Sequence, residues 1–416
     1  MARILILVEN LSVPFDRRVW QESRALVDAG HEVTVICPRG AKRDTEAHAR
    51  IEGVEIHRYA LEPATGGPSG YLREYGTALW QSLKLARKLD REHPFDVVQA
   101  CNPPDLLFLV ALPLKLRGAR FVFDHHDLVP ELFRSRFGKG GPLLWVNQAL
   151  ERITFRLADQ VISTNESYRS VAVGRGRVAP EHTAVVRSAP DLTRFVPVAP
   201  DDALRRGRRH LVCYLGVMGP QDGVDYALRS LASLRDDLGR DDVQAAFVGH
   251  GDAWDELVAL AHELGLDDRV EFTGRISDED LARYLSTADV CLAPDPKNAL
   301  NDVSTMNKIV EYMAMSRPLV SFDLAEARVS AGDAALYATP NDEREFARLI
   351  VELLDDPDRR ARMGALGRKR VEQELSWEHS RRHLLEAYEA VLVRGSRRAR
   401  KRSEGPGRNP ASQENS

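Results

Sequence analysis

Short runs of apolar residues alternate along the chain with longer segments in which apolar residues recur every three or four positions. The short runs predict buried strands, and the longer segments predict helices that pack against them. Strand-like runs begin with ARILILV at 2–8 and EVTVIC at 32–37, and a helical pattern over Arg18–Ala29 lies between them, with Gly30 in a normal C-cap position. This alternation indicates an α/β fold with parallel sheets covered by helices on both faces.

The alternation is interrupted at Asp191–Arg208, a segment rich in proline and charge, and it resumes with HLVCYLG at 210–216. We therefore predict two Rossmann-like domains with open parallel sheets, which would face each other across a cleft. After them, an amphipathic pattern predicts one further helix, and a polar, initially basic segment predicts a disordered tail. The predicted boundaries are 1–192 and 209–375 for the domains, 193–208 for the linker, 376–393 for the helix and 394–416 for the tail.

Length and composition are those of an ordinary globular protein. The chain has 416 residues, which is more than one hydrophobic core usually supports and agrees with two domains. A net charge of −4 argues against a partner nucleic acid. The four cysteines lie in or beside strand-like runs without metal or redox spacing, so we expect them to be reduced and buried. Neither a signal peptide nor a membrane span is predicted, and we expect a cytoplasmic protein.

The segment Asn301–Val320 combines a polar start with an apolar helical pattern. Ser304 or Thr305 is predicted to cap this helix. Three polar side chains then share one helical face: Asn307, Lys308 and Glu311. An amide, an ammonium and a carboxylate at the positive end of a helix dipole suit a phosphate and the hydroxyl groups of a sugar. The alternative is a surface helix with a solvated ion pair.

Polar side chains also follow two predicted strands of the first domain. His125, His126 and Asp127 come directly after RFVFD at 120–124. A histidine beside a carboxylate can donate one hydrogen bond to it and another to a substrate hydroxyl. The loop after the first strand offers Asn10, Ser12 and Arg17 to the same side of the cleft. Because this loop lacks G-x-G-x-x-G, a dinucleotide-binding dehydrogenase loses its main support.

Glycine-containing turns follow successive predicted strands of the second domain. Glycine lets the backbone approach a ligand, and the helix after such a turn offers its N terminus to phosphate. Several turns of this kind at one sheet edge favour a nucleotide site. The candidate nucleotide-binding residues are Gly216, Met218, Gly219, Gly249, Gly251 and Arg275.

In its motifs the chain resembles the retaining glycosyltransferases of family 4 (glycosyltransferase group 1). The matching pieces include PFDRRVWQESRALVDAGHEVTVICP, FDHHDLVPELF and STMNKIVEYMAMSRPLVSFDLAEARVSAGDAALYA, in this order. The resemblance implies the two-domain GT-B fold, with a nucleotide-sugar donor bound by the second domain and an acceptor bound by the first. It also implies that the C-terminal helix crosses back to the first domain.

The resemblance further implies roles for individual residues. His126 resembles the active-site histidine that contacts the donor sugar, and Glu311 resembles the second glutamate of the E-x7-E motif, which binds the ribose. Lys308 corresponds to a basic position of the family, and we expect it to neutralise the diphosphate. Arg275 and Ile276 match the segment that flanks the base.

Two departures from the family pattern concern the donor. Val303 stands where the first glutamate of E-x7-E falls, and GVMGPQDG at 216–223 lacks the arginine and lysine of many members. The sugar hydroxyls would then be met by Asn301, Asp302 or Ser304.

We expect an enzyme that moves a hexose from a nucleoside diphosphate sugar to a hydroxyl of a glycan, a lipid-linked or a small-molecule acceptor, without a metal ion or other cofactor. The alternatives are a nucleotide-sugar epimerase of the same fold and a non-catalytic partner protein. Arg134–Phe155 and the basic helix near Lys84–Arg91 could also rest on the anionic inner face of a membrane. Ordinary amphipathic packing is the alternative for these two segments.

Overall fold

The computed structural model describes residues 1–40, 44–61, 67–138 and 140–403. Its first domain has eight strands: β1 Arg3–Leu7, β2 Glu32–Pro38, β3 His48–Ile51, β4 Val54–Tyr59, β5 Val97–Cys101, β6 Arg120–His125, β7 Gln160–Ser163 and β8 Thr183–Val185. They form one sheet in the order β3-β4-β2-β1-β5-β6-β7-β8. Neighbouring strands are parallel except for β3 and β4, which form an antiparallel hairpin at the edge.

Six helices connect these strands: α1 Arg17–Asp28, α2 Gly67–Glu92, α3 Phe108–Leu116, α4 Val129–Phe137, α5 Pro142–Leu157 and α6 Glu166–Gly174. A short 3-10 helix at Pro180–His182 precedes β8. In β1, Ile4 and Ile6 pack towards α1, whereas Leu5 and Leu7 pack towards α2 and α3. All four side chains are fully buried, as expected for a parallel strand covered on both faces.

The second domain has six parallel strands: β9 His210–Leu215, β10 Val243–Val248, β11 Val270–Gly274, β12 Val290–Ala293, β13 Leu319–Phe322 and β14 Ala335–Ala338. Their order is β11-β10-β9-β12-β13-β14. The helices are α7 Val224–Asp236, α8 Trp254–Glu263, α9 Asp278–Thr287, α10 Asn307–Ala314, α11 Ala325–Ala331, α12 Glu343–Asp355 and α13 Pro357–Arg370. One sheet face packs mainly against α7, α8 and α12, and the other against α9, α10 and α11.

Short helical turns join the regular elements. The 3-10 helices lie at Asp202–Arg205, Asn301–Val303 and Gly332–Ala334, and a π-helical segment at Val371–Leu375 leads to the last helix, α14 Trp377–Ser403. The four cysteines are buried and unpaired, as the sequence predicts. Among the helices of the described ranges, none combines the length and apolarity needed to cross a membrane.

Helix α14 packs on the first domain although it follows the second domain in the chain. Leu384, Ala387, Tyr388 and Val391 belong to the same buried cluster as Ile4 and Ile6. The predicted crossing of the C-terminal helix is therefore confirmed. The helix continues to Ser403 rather than ending at Val393, so the tail predicted from Arg394 begins as helix; residues 404–416 lie outside the described ranges.

Candidate functional site

His126 follows β6, and both its ring and its backbone are held in place. Its Nδ1 atom lies 3.0 Å from Oδ2 of Asp124. The backbone N–H groups of His126 and Asp127 donate to Oδ1 of Asn102 at 2.9 and 3.0 Å, and the Asn102 amide donates to Asp105 at 3.0 Å. Since Nδ1 is engaged, Nε2 is the ring nitrogen that remains for a ligand. No local pattern in the sequence predicts that Asn102, after β5, meets this turn.

Asp124 is fully buried and is bound by Arg18 at the start of α1. Arg18 Nε lies 3.0 and 3.2 Å from the two carboxylate oxygens, and Nη2 lies 2.7 Å from Oδ1. Burial disfavours the ionised carboxyl, but Arg18 and His126 outweigh it and hold the pKa of Asp124 well below its usual range. Burial also disfavours a charged imidazole, but Asp124 outweighs it and raises the pKa of His126 to about 9. His126 is therefore an imidazolium at neutral pH, with a proton on each nitrogen.

The adjacent histidine, His125, does not join the cleft. Side chains of successive strand residues point to opposite faces of a sheet. His125 is fully buried among the rings of Phe123, Phe155 and Tyr168. Burial lowers its pKa to about 3, which keeps the ring neutral. Of the two imidazoles that the sequence places here, only His126 is suited to charge-dependent recognition.

Glu311 of α10 faces Arg17 of the first domain. Oε1 of Glu311 lies 3.6 Å from Nη1 of Arg17. Both residues line a cavity of about 70 Å³ between the domains, together with Arg18 and Asn307. The structure thus brings together the predicted Arg17, Asn307 and Glu311. Through Arg18 and Asp124, the same cavity wall is connected to His126.

The predicted side-chain cap of α10 is wrong. The helix begins after Met306 without a side-chain cap. Instead, Ser304 Oγ lies 2.8 Å from the Tyr168 hydroxyl, and Thr305 Oγ1 accepts a hydrogen bond of 2.9 Å from Asn165. Tyr168 and Asn165 belong to the first domain, so the polar residues before α10 tie the two domains together. The first N–H groups of α10 are not covered by a capping side chain as a result.

Lys308 is buried beneath the turn that follows β9. Its Nζ atom lies 2.6 Å from Asp295 Oδ1 and 4.9 Å from the centre of the Tyr214 ring. Burial disfavours the charged ammonium, but Asp295 outweighs it and raises the pKa of Lys308 above its usual range. The second oxygen of Asp295 is buried and has no hydrogen-bond partner among the residues that the structure describes. Lys308 is therefore a charged group already balanced by a carboxylate, and not the solvated partner of Glu311.

The predicted glycine turns pack backbone against backbone. Gly249 has a φ of +133°, and a Cβ atom there would lie 1.8 Å from the carbonyl oxygen of Gly216. A Cβ atom on Gly251 would lie 2.4 Å from the carbonyl oxygen of Met218. The Met218 side chain is fully buried in the core, so this candidate nucleotide-binding residue could meet a donor only through its backbone. The backbone N–H of Gly219 donates to Asp222 within its own turn.

The remaining predicted residues are distributed over both sides of the cleft. The Arg275 guanidinium lies 5.5 Å from the centre of the Phe15 ring, which joins the second domain to the first. Ile276 is partly buried against the second-domain core. Ser12 is buried and donates to Asp44, and Asn10 is exposed. Of the loop residues proposed for the acceptor side, Arg17 is thus the one that reaches the cavity.

Val303 packs against the first domain rather than leaving a gap. Its side chain contacts a cluster formed by Leu128, Tyr168 and Leu300, and its carbonyl oxygen accepts a hydrogen bond of 2.9 Å from Asn165. The residues expected to replace the missing glutamate also have partners. Asn301 donates to the carbonyls of Gln221 and Pro296, and Asp302 accepts from the N–H of Ala325. This segment is therefore part of the domain interface.

A metal ion has one candidate set of ligands in the described part of the chain. His48, Glu55 and His57 lie on the β3–β4 hairpin, with ligand atoms within 4.8 Å of one another. The hairpin is at the sheet edge, separated from β6 by β2, β1 and β5. This set therefore belongs to another part of the molecule than His126 and Glu311.

Comparison with known proteins adds independent information. A family model described as "Glycosyl transferase 4-like domain" matches residues 16–189, and one described as "Glycosyl transferases group 1" matches residues 209–356. A similar protein is the GDP-mannose-dependent alpha-(1-6)-phosphatidylinositol monomannoside mannosyltransferase of Mycobacterium tuberculosis, with 30% identity over 91% of this chain and 93% of its own length. The alpha-D-kanosaminyltransferase of Streptomyces kanamyceticus is 27% identical over 82% of this chain and 91% of its own length.

Solved structures resemble nearly the whole chain. The structure of Anabaena HepE in complex with UDP and glucose has a TM-score of 0.71 and 18% identity, and the match covers 94% of this chain and 100% of that one. At this level of identity the similarity shows the fold alone. The predicted GT-B arrangement of two parallel-sheet domains is thereby confirmed.

Replacing His126 by glutamine should destabilise the protein in a pH-dependent way. Folding raises the pKa of His126 from 6.5 to about 9, so the protonated ring contributes its full stability below pH 6.5 and loses it as the pH rises through about 9. The difference in free energy of unfolding between wild type and His126→Gln should therefore be larger at about pH 6 than at about pH 10. Urea denaturation measures it, and an equal difference at both pH values would contradict a charged imidazole.

Gly249→Ala should destabilise the second domain because the new Cβ atom would overlap the Gly216 carbonyl. We expect a loss of more than about 3 kcal/mol in the free energy of unfolding. Gly239→Ala is the matched control: its φ of +64° is also positive, but a Cβ atom there would have no neighbour within 4 Å. This control should lose only about 1 kcal/mol. Similar losses for the two variants would show that the turns are not in close contact.

Proposed function

The chain belongs to the group 1 glycosyltransferases, enzymes that act with nucleotide sugars, and we propose that it transfers a hexose with retention of configuration and without a metal ion. The donor would be a nucleoside diphosphate sugar held mainly by the second domain. The acceptor would be a hydroxyl group of a glycan, a lipid-linked or a small molecule.

The observation that carries this proposal is the fixed imidazolium of His126 on one side of the cleft, joined through Asp124 and Arg18 to the cavity that holds Glu311. A charged histidine with Nδ1 engaged can donate Nε2–H to an oxygen of the donor sugar. Glu311, a carboxylate at the same cavity, can accept hydrogen bonds from the two ribose hydroxyls. A cation and an anion held in place before the substrate arrives stabilise charge without reorganisation.

The diphosphate would bind at the N terminus of α10. This helix starts without a side-chain cap, because Ser304 and Thr305 bond to the first domain. Its N–H groups and the positive end of its dipole therefore suit an anion. Lys308 lies in the first turn of the helix, but Asp295 balances its charge. We infer that backbone N–H groups, more than side-chain cations, stabilise the leaving diphosphate.

In the transfer step, the bond between the anomeric carbon and the phosphate oxygen would break while the acceptor oxygen bonds to the same carbon. Attack from the face that the diphosphate leaves would retain the configuration. The acceptor proton would pass to the departing phosphate oxygen, so no protein base or metal is needed. In the described motifs of this chain, no residue stands out as a covalent nucleophile, and this supports attack from the same face.

The two domains have to separate for the donor to enter. The cavity at Glu311 measures about 70 Å³, whereas small-molecule sites usually enclose roughly 300–1,000 Å³. Separation of the domains would break two contacts between them: the ion pair of Arg17 with Glu311 and the contact of Arg275 with the Phe15 ring. The donor would then replace Arg17 as the partner of Glu311.

A second candidate is a binding protein without turnover. It is favoured by Val303, which packs in the domain interface where a glutamate would meet the sugar, and by the pairing of Lys308 with Asp295. Such a protein would bind the nucleotide sugar but would neither hydrolyse nor transfer it. An epimerase of the same fold would instead convert the donor sugar in the absence of an acceptor.

A lipid-linked acceptor would fit an exposed surface of the first domain, which we call the α2–α3–α5 face. Trp80, Leu116 and Trp145, one on each helix, are 65%, 79% and 75% exposed. Helix α3 packs between α2 and α5, so these side chains belong to one side of the domain. On α2, a cavity is lined by Trp80 together with Lys84, Arg87, Lys88 and Arg91. Aromatic and aliphatic side chains beside cations suit an anionic membrane.

Substitutions at the cleft should affect the donor reaction in different ways. Incubation with UDP-, GDP-, ADP- and dTDP-sugars, followed by mass analysis, should reveal transfer or slow donor hydrolysis with one nucleotide class. His126→Ala should lower kcat about 100-fold, because a preorganised hydrogen-bond donor to the sugar is lost. Glu311→Gln should mainly raise the KM for the donor, about tenfold, because a charged acceptor of hydrogen bonds is lost.

Glu389→Gln, an exposed glutamate on α14, is the control and should match the wild type. Binding of a nucleotide sugar with neither transfer nor hydrolysis would support the binding protein, and an altered sugar still attached to its nucleotide would support the epimerase. Wild-type kinetics in both cleft variants would contradict the proposed site.

The α2–α3–α5 face should bind vesicles that contain anionic lipid. The fraction of protein that sediments with the vesicles should be much smaller for the double variant Trp80→Ser/Trp145→Ser, because the exposed aromatic rings are removed. Leu366→Ser, an exposed apolar residue of α13 that is 51% accessible, is the control and should sediment like the wild type. Equal sedimentation of the double variant and wild type, or binding that is independent of anionic lipid, would overturn this part of the proposal.

A further inference from the structure

A line of buried polar side chains leads from the C-terminal helix to His126. The Tyr388 hydroxyl donates to Oε1 of Gln99 at 2.5 Å, and the Gln99 amide donates to Oε2 of Glu22 at 2.7 Å. Oε1 of Glu22 lies 3.1 Å from Nη2 of Arg18. Arg18 then binds Asp124, which holds the imidazole. We call these five residues the polar network: Tyr388, Gln99, Glu22, Arg18 and Asp124.

The polar network is buried and is balanced in charge. Glu22, Gln99 and Asp124 are fully buried, and Tyr388 and Arg18 are nearly so. When Glu22 is ionised, anions and cations alternate along the line from Glu22 to His126, and two negative and two positive charges compensate one another. In a buried setting, removing one charged member leaves its neighbours with an uncompensated charge. The state of each residue therefore affects the next one.

Gln99 links the C-terminal helix to the charged part of the network. A glutamine side chain accepts at Oε1 and donates from Nε2. With Oε1 occupied by the Tyr388 hydroxyl, Nε2 points to Glu22 and stabilises its carboxylate. Burial and the nearby Asp124 raise the pKa of Glu22 to about 7, while Arg18 and Gln99 act in the opposite direction. The hydrogen bond from Gln99 therefore favours the ionised form of Glu22.

The network spans four elements that are far apart in the sequence. Tyr388 comes from α14, Gln99 from β5, Glu22 and Arg18 from α1, and Asp124 from β6. Tyr388 can reach Gln99 only when α14 is seated on the first domain. Since α14 follows the donor-binding domain directly in the chain, the network joins that connection to the histidine.

We propose that Tyr388, Gln99 and Glu22 are positioning residues for His126, which they keep charged and oriented towards the donor sugar by holding Arg18 and Asp124 in place. This inference rests on the proposed function of His126 in sugar transfer. It adds that the packing of α14 on the first domain affects the charge and orientation of His126 through the polar network.

Tyr388→Phe tests the proposal because it removes one hydroxyl and leaves the ring. The Gln99 amide would lose its orientation, Glu22 would become protonated more easily, and the loss of its negative charge would lower the pKa of His126. The other titratable groups that interact with His126 are Asp127 beside it and Asp16 before α1, while Cys101 on β5 interacts with Asp124 and Glu22. We expect kcat to fall about tenfold with the KM for the donor nearly unchanged, as for one lost buried hydrogen bond.

The alkaline limb of the kcat–pH profile should also move to lower pH in Tyr388→Phe. Glu22→Gln is the second variant: it removes the charge directly and should shift the limb in the same direction by more. Tyr337→Phe is the matched control, since the Tyr337 hydroxyl is bonded to Gly332 in the second domain, outside the network. This control should keep the wild-type kcat and pH profile.

The outcomes distinguish the positioning role of the polar network from the proposed function of the protein. If wild type turns over a nucleotide sugar and His126→Ala abolishes it, but Tyr388→Phe and Glu22→Gln retain the kcat and pH profile of Tyr337→Phe, the positioning role is wrong while the proposed function stands. If the two variants change only the thermal stability, the network is structural and the positioning role is again wrong. If His126→Ala keeps wild-type turnover, the proposed role of His126 fails, and with it the positioning role. If wild type neither transfers nor hydrolyses any nucleotide sugar, the proposed function itself fails.

Discussion

The buried ion pair between Arg18 and Asp124 is the interaction on which the candidate site depends. Asp124 is the second-last residue of the apolar strand β6 and has no exposure to solvent, so its charge requires a partner in the protein interior. Arg18 supplies that partner from the first turn of α1, and its neighbour Arg17 reaches Glu311 in the second domain. With Asp124 held ionised, His126 is held as a cation. The first two residues of α1 therefore determine the charge of His126 and form one of the contacts between the domains.

The contacts across the cleft define a closed arrangement of the two domains. At one edge, Arg17 meets Glu311 and Phe15 meets Arg275. At another, Asn165 and Tyr168 bind the polar segment before α10, and Val303 packs beside Tyr168. The second set leaves the N terminus of α10 uncapped. Binding of the donor is expected to break the first set, whereas the second set can guide the domains as they close again.

The fold could be predicted from the sequence, but only part of the site could. Apolar runs such as β1 and the crossing of α14 follow from local pattern and resemblance. Ser304 and Thr305 look like helix caps locally, yet Tyr168 and Asn165 compete for their hydroxyl groups. Met218 lies in a glycine turn that looks exposed, but its side chain fills the core. The pairings of Arg18 with Asp124 and of Lys308 with Asp295 depend on tertiary contacts, which a single sequence does not encode in any local pattern.

The charge of the His126 ring tests the candidate site most directly. Protein labelled with ¹⁵N-histidine would be followed by NMR, with the His126 signals identified by their loss in His126→Ala. We predict protons on both ring nitrogens at about pH 7.5 and a titration midpoint at about 9. A neutral ring with one protonated nitrogen at that pH would contradict the central claim, because Asp124 and Arg18 would then not hold an imidazolium at the cleft.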